Sequence, residues 1–208
     1  MTPDFILDIL ILIGAIVCHE YAHGWVAYKC GDQTAKLAGR LTLNPLKHID
    51  PIGTVILPIA LYSFFGMPFG WAKPVPINYG NLKSPKRDLM LVAIAGPTIN
   101  ILLALAFGQL AGWGVLSGVQ KWLFQIVLVN CFLATFNLIP IPPLDGSRIV
   151  LGLLPRRWAL FYSRLEPWGF ILVFVLANFG YLSFVQEIAM YLTRYFWSAQ
   201  GVPIIKFV

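Results

Sequence analysis

The stretch Phe5 to Tyr28, FILDILILIGAIVCHEYAHGWVAY, decides the fold class. It is apolar almost throughout, and as a helix rising about 1.5 Å per residue it is long enough to cross a hydrocarbon core of roughly 30 Å. Its acidic and histidine side chains are Asp8 near one end and His19, Glu20 and His23 towards the other. Just before it, Thr2 and Pro3 read as an N-cap followed by proline at the first helical position. No Lys or Arg precedes the apolar run, whereas a cleavable secretory signal opens with a positive region, so this first helix is expected to be retained.

The rest of the chain has the same character. Its 208 residues are 58% apolar and only 12% charged, with a mean hydropathy of +0.75. A soluble domain carries about 25% charged residues. Half that charge cannot cover a water-facing surface, which excludes a soluble globular protein and equally a disordered chain. Further spans are expected from Leu89 to about Val115, around Gly96-Pro97, and from Trp122 to Ile139. A last one runs from Trp168 to about Tyr195, which Asn178-Phe179-Gly180 can divide into two shorter helices. Ile52 to Gly66 is apolar but short and holds Pro58, which fits a re-entrant or interfacial piece. Thr34 to Leu43 roughly alternates, and Gly70 to Asn78 (GWAKPVPIN) is extended with prolines that suit an edge strand. The run Pro155 to Leu165 (PRRWALFYSRL) is amphipathic and either lies on the inner leaflet or connects two helices. The expectation is an all-α polytopic membrane protein with about 4–6 transmembrane helices, a re-entrant segment and short β-strands near the cytoplasmic side. It forms one domain over 1–208, with its core at about 5–150 and further helices from 150 to 208.

The charge is net +6. Twelve of the fifteen Lys and Arg residues lie in the stretches 29–88 and 140–167. The positive-inside bias then places both stretches in the cytoplasm and the N-terminus outside, provided 52–66 does not cross. The C-terminus is outside if the last segment is one helix and inside if it breaks at Gly180 and doubles back. No basic run interleaved with aromatics points to nucleic acid. Cys18, Cys30 and Cys131 are odd in number and form no CxxC, so all three read as free thiols.

The chemistry is carried by His19-Glu20-Tyr21-Ala22-His23, an HExxH. On a helix, positions i and i+4 share a face, so both imidazoles can reach one metal ion. Zinc favours imidazole and lowers the pKa of its water towards ~7, and Glu20 on the same side can take the proton as general base. Three ionisable side chains within five residues of a span each cost about 2.5–3.5 kcal/mol on insertion scales, so a structural role as a polar helix end is a poor explanation. A catalytic zinc needs a third protein ligand. Asp4, Asp8 and Glu187 belong to the outer side. Glu166, Asp32, Asp50 and Asp88 sit in inner loops with turn or pairing roles. Asp145 follows the third span at its inner end, where Pro140 to Asp145 (PIPPLD) must leave helical form. By elimination it is the best third ligand, with His48 as runner-up. Cys18 lies about 100° round the helix from His19 and is rejected.

Taken together, HExxH in a first span, Ala95-Gly96-Pro97-Thr98-Ile99-Asn100 in a middle span and Asn137-Leu138-Ile139-Pro140-Ile141-Pro142-Pro143-Leu144-Asp145-Gly146 after a later one resemble the site-2 protease family of intramembrane zinc metalloproteases. The stretch Gly39 to Gly53 (GRLTLNPLKHIDPIG) is similar to that family's loop after the catalytic helix. The resemblance covers roughly residues 10–150. It implies one zinc per chain on His19, His23 and Asp145, with Glu20 activating water. It implies that Asn137 holds the substrate backbone or the oxyanion, with inter-helix hydrogen bonding as its structural alternative. Gly96, Pro97 and Asn100 would chiefly permit close packing beside the site. Many members carry a PDZ or CBS domain, for which this chain has no length.

A peptide bond in a transmembrane helix must be unwound before hydrolysis, and each freed backbone group then needs a partner. Strand addition to 34–43 or 70–78 would supply one. The expected function is hydrolysis of peptide bonds within or near transmembrane segments of single-span membrane proteins in a lipid bilayer. The expected place is a prokaryotic inner membrane, with the site near the cytoplasmic side. The alternatives are a metal-ion transporter, a non-catalytic protein that binds transmembrane helices, and a membrane zinc peptidase of another class with a glutamate third ligand.

Overall fold

A computed structural model describes residues 3–50, 73–112 and 117–198. Among these residues there are eight α-helices and no strand: α1 (Pro3–Lys29), α2 (Thr34–Leu37), α3 (Pro85–Gly112), α4 (Gln120–Asn137), α5 (Asp145–Leu153), α6 (Arg156–Ser163), α7 (Gly169–Asn178) and α8 (Ser183–Ser198). Three described stretches are long and apolar enough to cross a membrane: Ile6–Lys29, Pro85–Ala111 and Arg156–Asn178. The first two are single helices. The third is composite, with a 3-10 turn at Glu166–Trp168 between α6 and α7. The ten residues of α7 rise only about 15 Å. The expected break follows it, where Gly180 adopts φ +76°.

α1, α3 and α4 pack on one another, and α8 packs on α4 and α3. Ala104 and Ala111 of α3, Leu123, Val127 and Cys131 of α4, and Ala189 and Trp197 of α8 form the main apolar core. Phe124 meets the Trp197 ring edge-on at 5.3 Å. Small residues let these backbones approach, as lipid-embedded bundles require: a Cβ on Gly108 would stand 2.9 Å from the Phe196 carbonyl oxygen of α8. Outward, Ile6, Leu10, Leu102 and Ile171 are exposed, a surface suited to lipid rather than water.

The strand expected over 34–43 is corrected. The Asp32 carboxylate accepts hydrogen bonds from the Thr34 backbone N–H (3.1 Å) and hydroxyl (2.5 Å), and the chain turns into α2. Residues 73–78 are extended but form no ladder among the described residues. Their hydrogen bonds go to scattered partners: the Lys73 N–H to the His48 carbonyl (2.9 Å), the Lys73 carbonyl to Arg40 Nη2 (2.9 Å), the Asn78 N–H to Asp32 Oδ2 (2.8 Å). Pro74 and Pro76 have no N–H to offer a neighbouring strand. The expected re-entrant piece at 52–66 lies outside the described residues.

Candidate metal centre

The site forms where α1, α3 and the N-terminus of α5 meet. His19 and His23 are one turn apart on α1 and both are buried. Their Nε2 atoms stand 3.0 Å apart, and the rings meet edge-on. Asp145 Oδ2 lies 3.0 Å from His19 Nε2 and 3.2 Å from His23 Nε2. Among the described residues this is the one group of three His, Cys, Asp or Glu side chains close enough to share an ion.

The outer nitrogens of the rings show what the inner ones can do. His23 Nδ1 lies 2.7 Å from the Val92 carbonyl, which can only accept, so Nδ1 carries the proton. His19 Nδ1 lies 2.6 Å from Asn100 Oδ1. The orientation of that amide follows from its other end, where Asn100 Nδ2 donates to Asn130 Oδ1 (2.8 Å) and to the Ala15 carbonyl (3.4 Å). With Nδ1 as the donor on each ring, an imidazole in its neutral form aims its Nε2 lone pair inward, at the other ring and at a carboxylate oxygen. That oxygen, Asp145 Oδ2, is buried and has no hydrogen-bond donor among the described residues. Three lone-pair atoms at this separation repel unless a cation or a shared proton lies among them. Ligands at about 2.0 Å from a tetrahedral zinc are spaced by about 3.3 Å, close to the observed triangle. The donor set, two imidazoles and a carboxylate, also suits zinc.

The local sequence explains how the three candidate ligands arrive. α3 crosses α1 at Gly96, where a Cβ would collide with both imidazoles. Asp145 is brought back by the chain after α4, in which Gly146 packs so tightly on the Leu138 and Ile139 carbonyls that no side chain fits. Tyr162 of α6 donates its hydroxyl to the Pro140 carbonyl (2.6 Å), and Gly169 of α7 lies against Pro142. Beyond Asp145, Arg148 pairs with Glu166 and stands over the Tyr79 ring.

Glu20 points to the extended segment, and its Oε2 accepts the Val75 N–H at 2.8 Å. Val75 is buried close to Gly24 of α1, where a Cβ would come within 2.9 Å of its Cγ1. Asn137 ends α4 and donates Nδ2 to the Leu133 carbonyl of its own helix (2.9 Å). His48, the runner-up ligand, is outside the cluster. It is buried, with Nε2 2.9 Å from the Thr42 carbonyl. Asp32 and Glu166 have the turn and pairing roles expected, and Asp88 accepts the Ser84 N–H at the start of α3 (2.8 Å). Cys18, Cys30 and Cys131 are free thiols. Asn100 is more than a packing residue, since it holds His19. The signal was present: a fully buried amide in an apolar span needs polar partners.

Residues 109–177 match the family described as Peptidase family M50. YwhC of Bacillus subtilis, provisionally named a zinc metalloprotease, is 40% identical over 178 residues, which cover 81% of this chain and 78% of that protein. Rip2 of Mycolicibacterium smegmatis, with the same provisional name, is 31% identical over 83% of this chain and 66% of its own. The zinc metalloprotease MJ0392 of Methanocaldococcus jannaschii is 24% identical over 95% of this chain and half of its own length. No solved structure matches.

Proposed function

The chain belongs to peptidase family M50, the site-2 proteases, whose metal is zinc, and on that premise we propose that it hydrolyses peptide bonds within or near transmembrane segments of single-span membrane proteins. The observation that carries the reading is the convergence of His19, His23 and Asp145 with both outer ring nitrogens already occupied. These three side chains would hold the zinc. When bound, the ion supplies a Lewis acid that acidifies water and polarises the peptide carbonyl.

The remaining chemistry belongs to the protein's own groups. Glu20 takes a proton from the attacking water and passes it to the amine leaving group. Its Oε2 is engaged by the Val75 N–H, so Oε1 is the oxygen available for that transfer. Asn137 spends one amide hydrogen on Leu133 and retains another, with its carbonyl, for the substrate backbone or the developing oxyanion. The segment 73–78 lies beside Glu20 and is the candidate support for an unwound substrate, through its side chains and carbonyls more than a regular ladder.

In this reading the whole chain is one multi-pass membrane domain. The stretches rich in Lys and Arg face the cytoplasm of a prokaryotic cell, and the site opens near that face. The break at Gly180 favours a C-terminus on the same side.

The test compares wild type with Glu20→Gln on a panel of single-span substrates in detergent, with zinc measured on both. Cleavage is expected to fall by at least 100-fold, the scale of a lost general base, with zinc retained. Unchanged cleavage removes Glu20 from the mechanism. Zinc flux into proteoliposomes without cleavage by wild type would favour a transporter.

A further inference from the structure

The polar chain that begins at His19 does not stop at Asn100. Asn130, in the middle of α4, is 2% exposed and lies in an apolar run between Val129 and Cys131. Its Nδ2 donates to the Ile126 carbonyl of its own helix at 2.9 Å. That fixes its Oδ1 as the acceptor facing α3, where Asn100 Nδ2 donates to it at 2.8 Å. Asn100 in turn presents Oδ1 to His19 Nδ1 at 2.6 Å. The donors run in one direction across α1, α3 and α4 and end on a backbone carbonyl, which can only accept.

We propose that Asn130 is a positioning residue for the metal: through Asn100 it keeps the proton of His19 on Nδ1 and reserves Nε2 for zinc. This rests on His19 being a ligand. The physical need is specific. The two ends of the Asn100 amide have nearly the same size. Without the acceptor on Asn130, its NH2 keeps only the Ala15 carbonyl at 3.4 Å in otherwise apolar surroundings. Rotated, the NH2 would face His19 Nδ1 and favour the tautomer with its proton on Nε2, the atom that points at Asp145. A packing role does not account for Asn130, because an apolar side chain of similar size fills the position without a buried amide to satisfy.

The experiment measures zinc affinity of the full chain in detergent by chelator competition, with thermal unfolding in excess chelator as a check on the metal-free fold. Asn130→Leu and Asn130→Thr should each weaken zinc binding about 10- to 100-fold, the usual effect of removing an outer partner of a metal histidine. The threonine variant keeps the fold in play, because its hydroxyl bonds the i−4 carbonyl, as Thr135 and Thr193 do here. Asn130→Asp, protonated in this apolar setting, keeps an acceptor and a donor and should stay within about threefold of wild type. In an Asn100→Leu background, Asn130→Leu should weaken zinc no further. Wild-type affinity in the threonine variant, or additive losses in the double variant, would overturn the proposal. His19→Ala separates it from the reading beneath: if that variant binds zinc as wild type does, the site itself is wrong. If only the Asn130 variants are silent, the relay alone is wrong.

Discussion

Gly96→Ala tests the site by adding a single methyl group. A Cβ at Gly96 would lie 2.5 Å from His19 Nε2 and as close to His23. Ordinary contact needs about 3.4 Å, so the rings, or α1 as a whole, must retreat by about 0.9 Å. A metal site tolerates roughly 0.2 Å in its ligand distances. The displacement exceeds this several times over and falls on both imidazoles at once. The expected loss in zinc affinity is therefore greater than the 10- to 100-fold typical of outer partners. Overpacking should also cost about 1–3 kcal/mol of stability. Chelator competition followed by elemental analysis reads the first quantity, and thermal unfolding in detergent with and without chelator reads the second. Gly14→Ala, on the same α1 with nothing within 4 Å of the added carbon, is the control and should leave zinc binding unchanged. If Gly96→Ala binds zinc as tightly as wild type, the ion is not held between these rings.

Asp145→Ala should bring zinc below stoichiometric occupancy, and stoichiometric zinc in that variant would place the third ligand elsewhere. Asp32 supplies a pH-dependent prediction. Burial pushes its carboxyl pKa up, but hydrogen bonds from the Thr34 hydroxyl and N–H, the Asn81 amide and the Asn78 N–H outweigh it and leave the pKa below the ordinary value. Its contribution is therefore complete above the unfolded-state pKa of about 3.9 and is lost as the pH falls through the lower folded value. Asp32→Ala should cost about 1–3 kcal/mol at pH 7, measured by chemical unfolding in detergent, with the difference from wild type closing in acid. A pH-independent difference would refute the charge-based account.

The candidate ligand cluster and the helical class were legible because both rest on local pattern. HExxH puts two imidazoles on one helical face, and apolar runs of span length leave few alternatives. Asp145 was reachable by elimination because prolines mark where α4 must stop. α5 was not anticipated, since its apolar positions lie beside that proline-rich turn. The strand at 34–43 failed because a side-chain acceptor, Asp32, outweighed weak alternation. The Val92 carbonyl that orients His23 could not be read at all, because a backbone atom carries no residue-type signal. Asn100 and Asn130 could have been flagged as buried amides, but their pairing depends on how α3 and α4 cross.

The hydrogen bond from the Val75 N–H ties Glu20, the proposed general base, to the extended segment beside it. Lifting Lys73–Asn78 away from α1 would strip that carboxylate oxygen of its donor. If that segment also supports substrate, as proposed, substrate preference and turnover would not vary independently in this scaffold. A chimera that takes this segment from a relative would change the hydrogen bonding of the proposed base as well, so variants made for selectivity call for a rate measurement beside it.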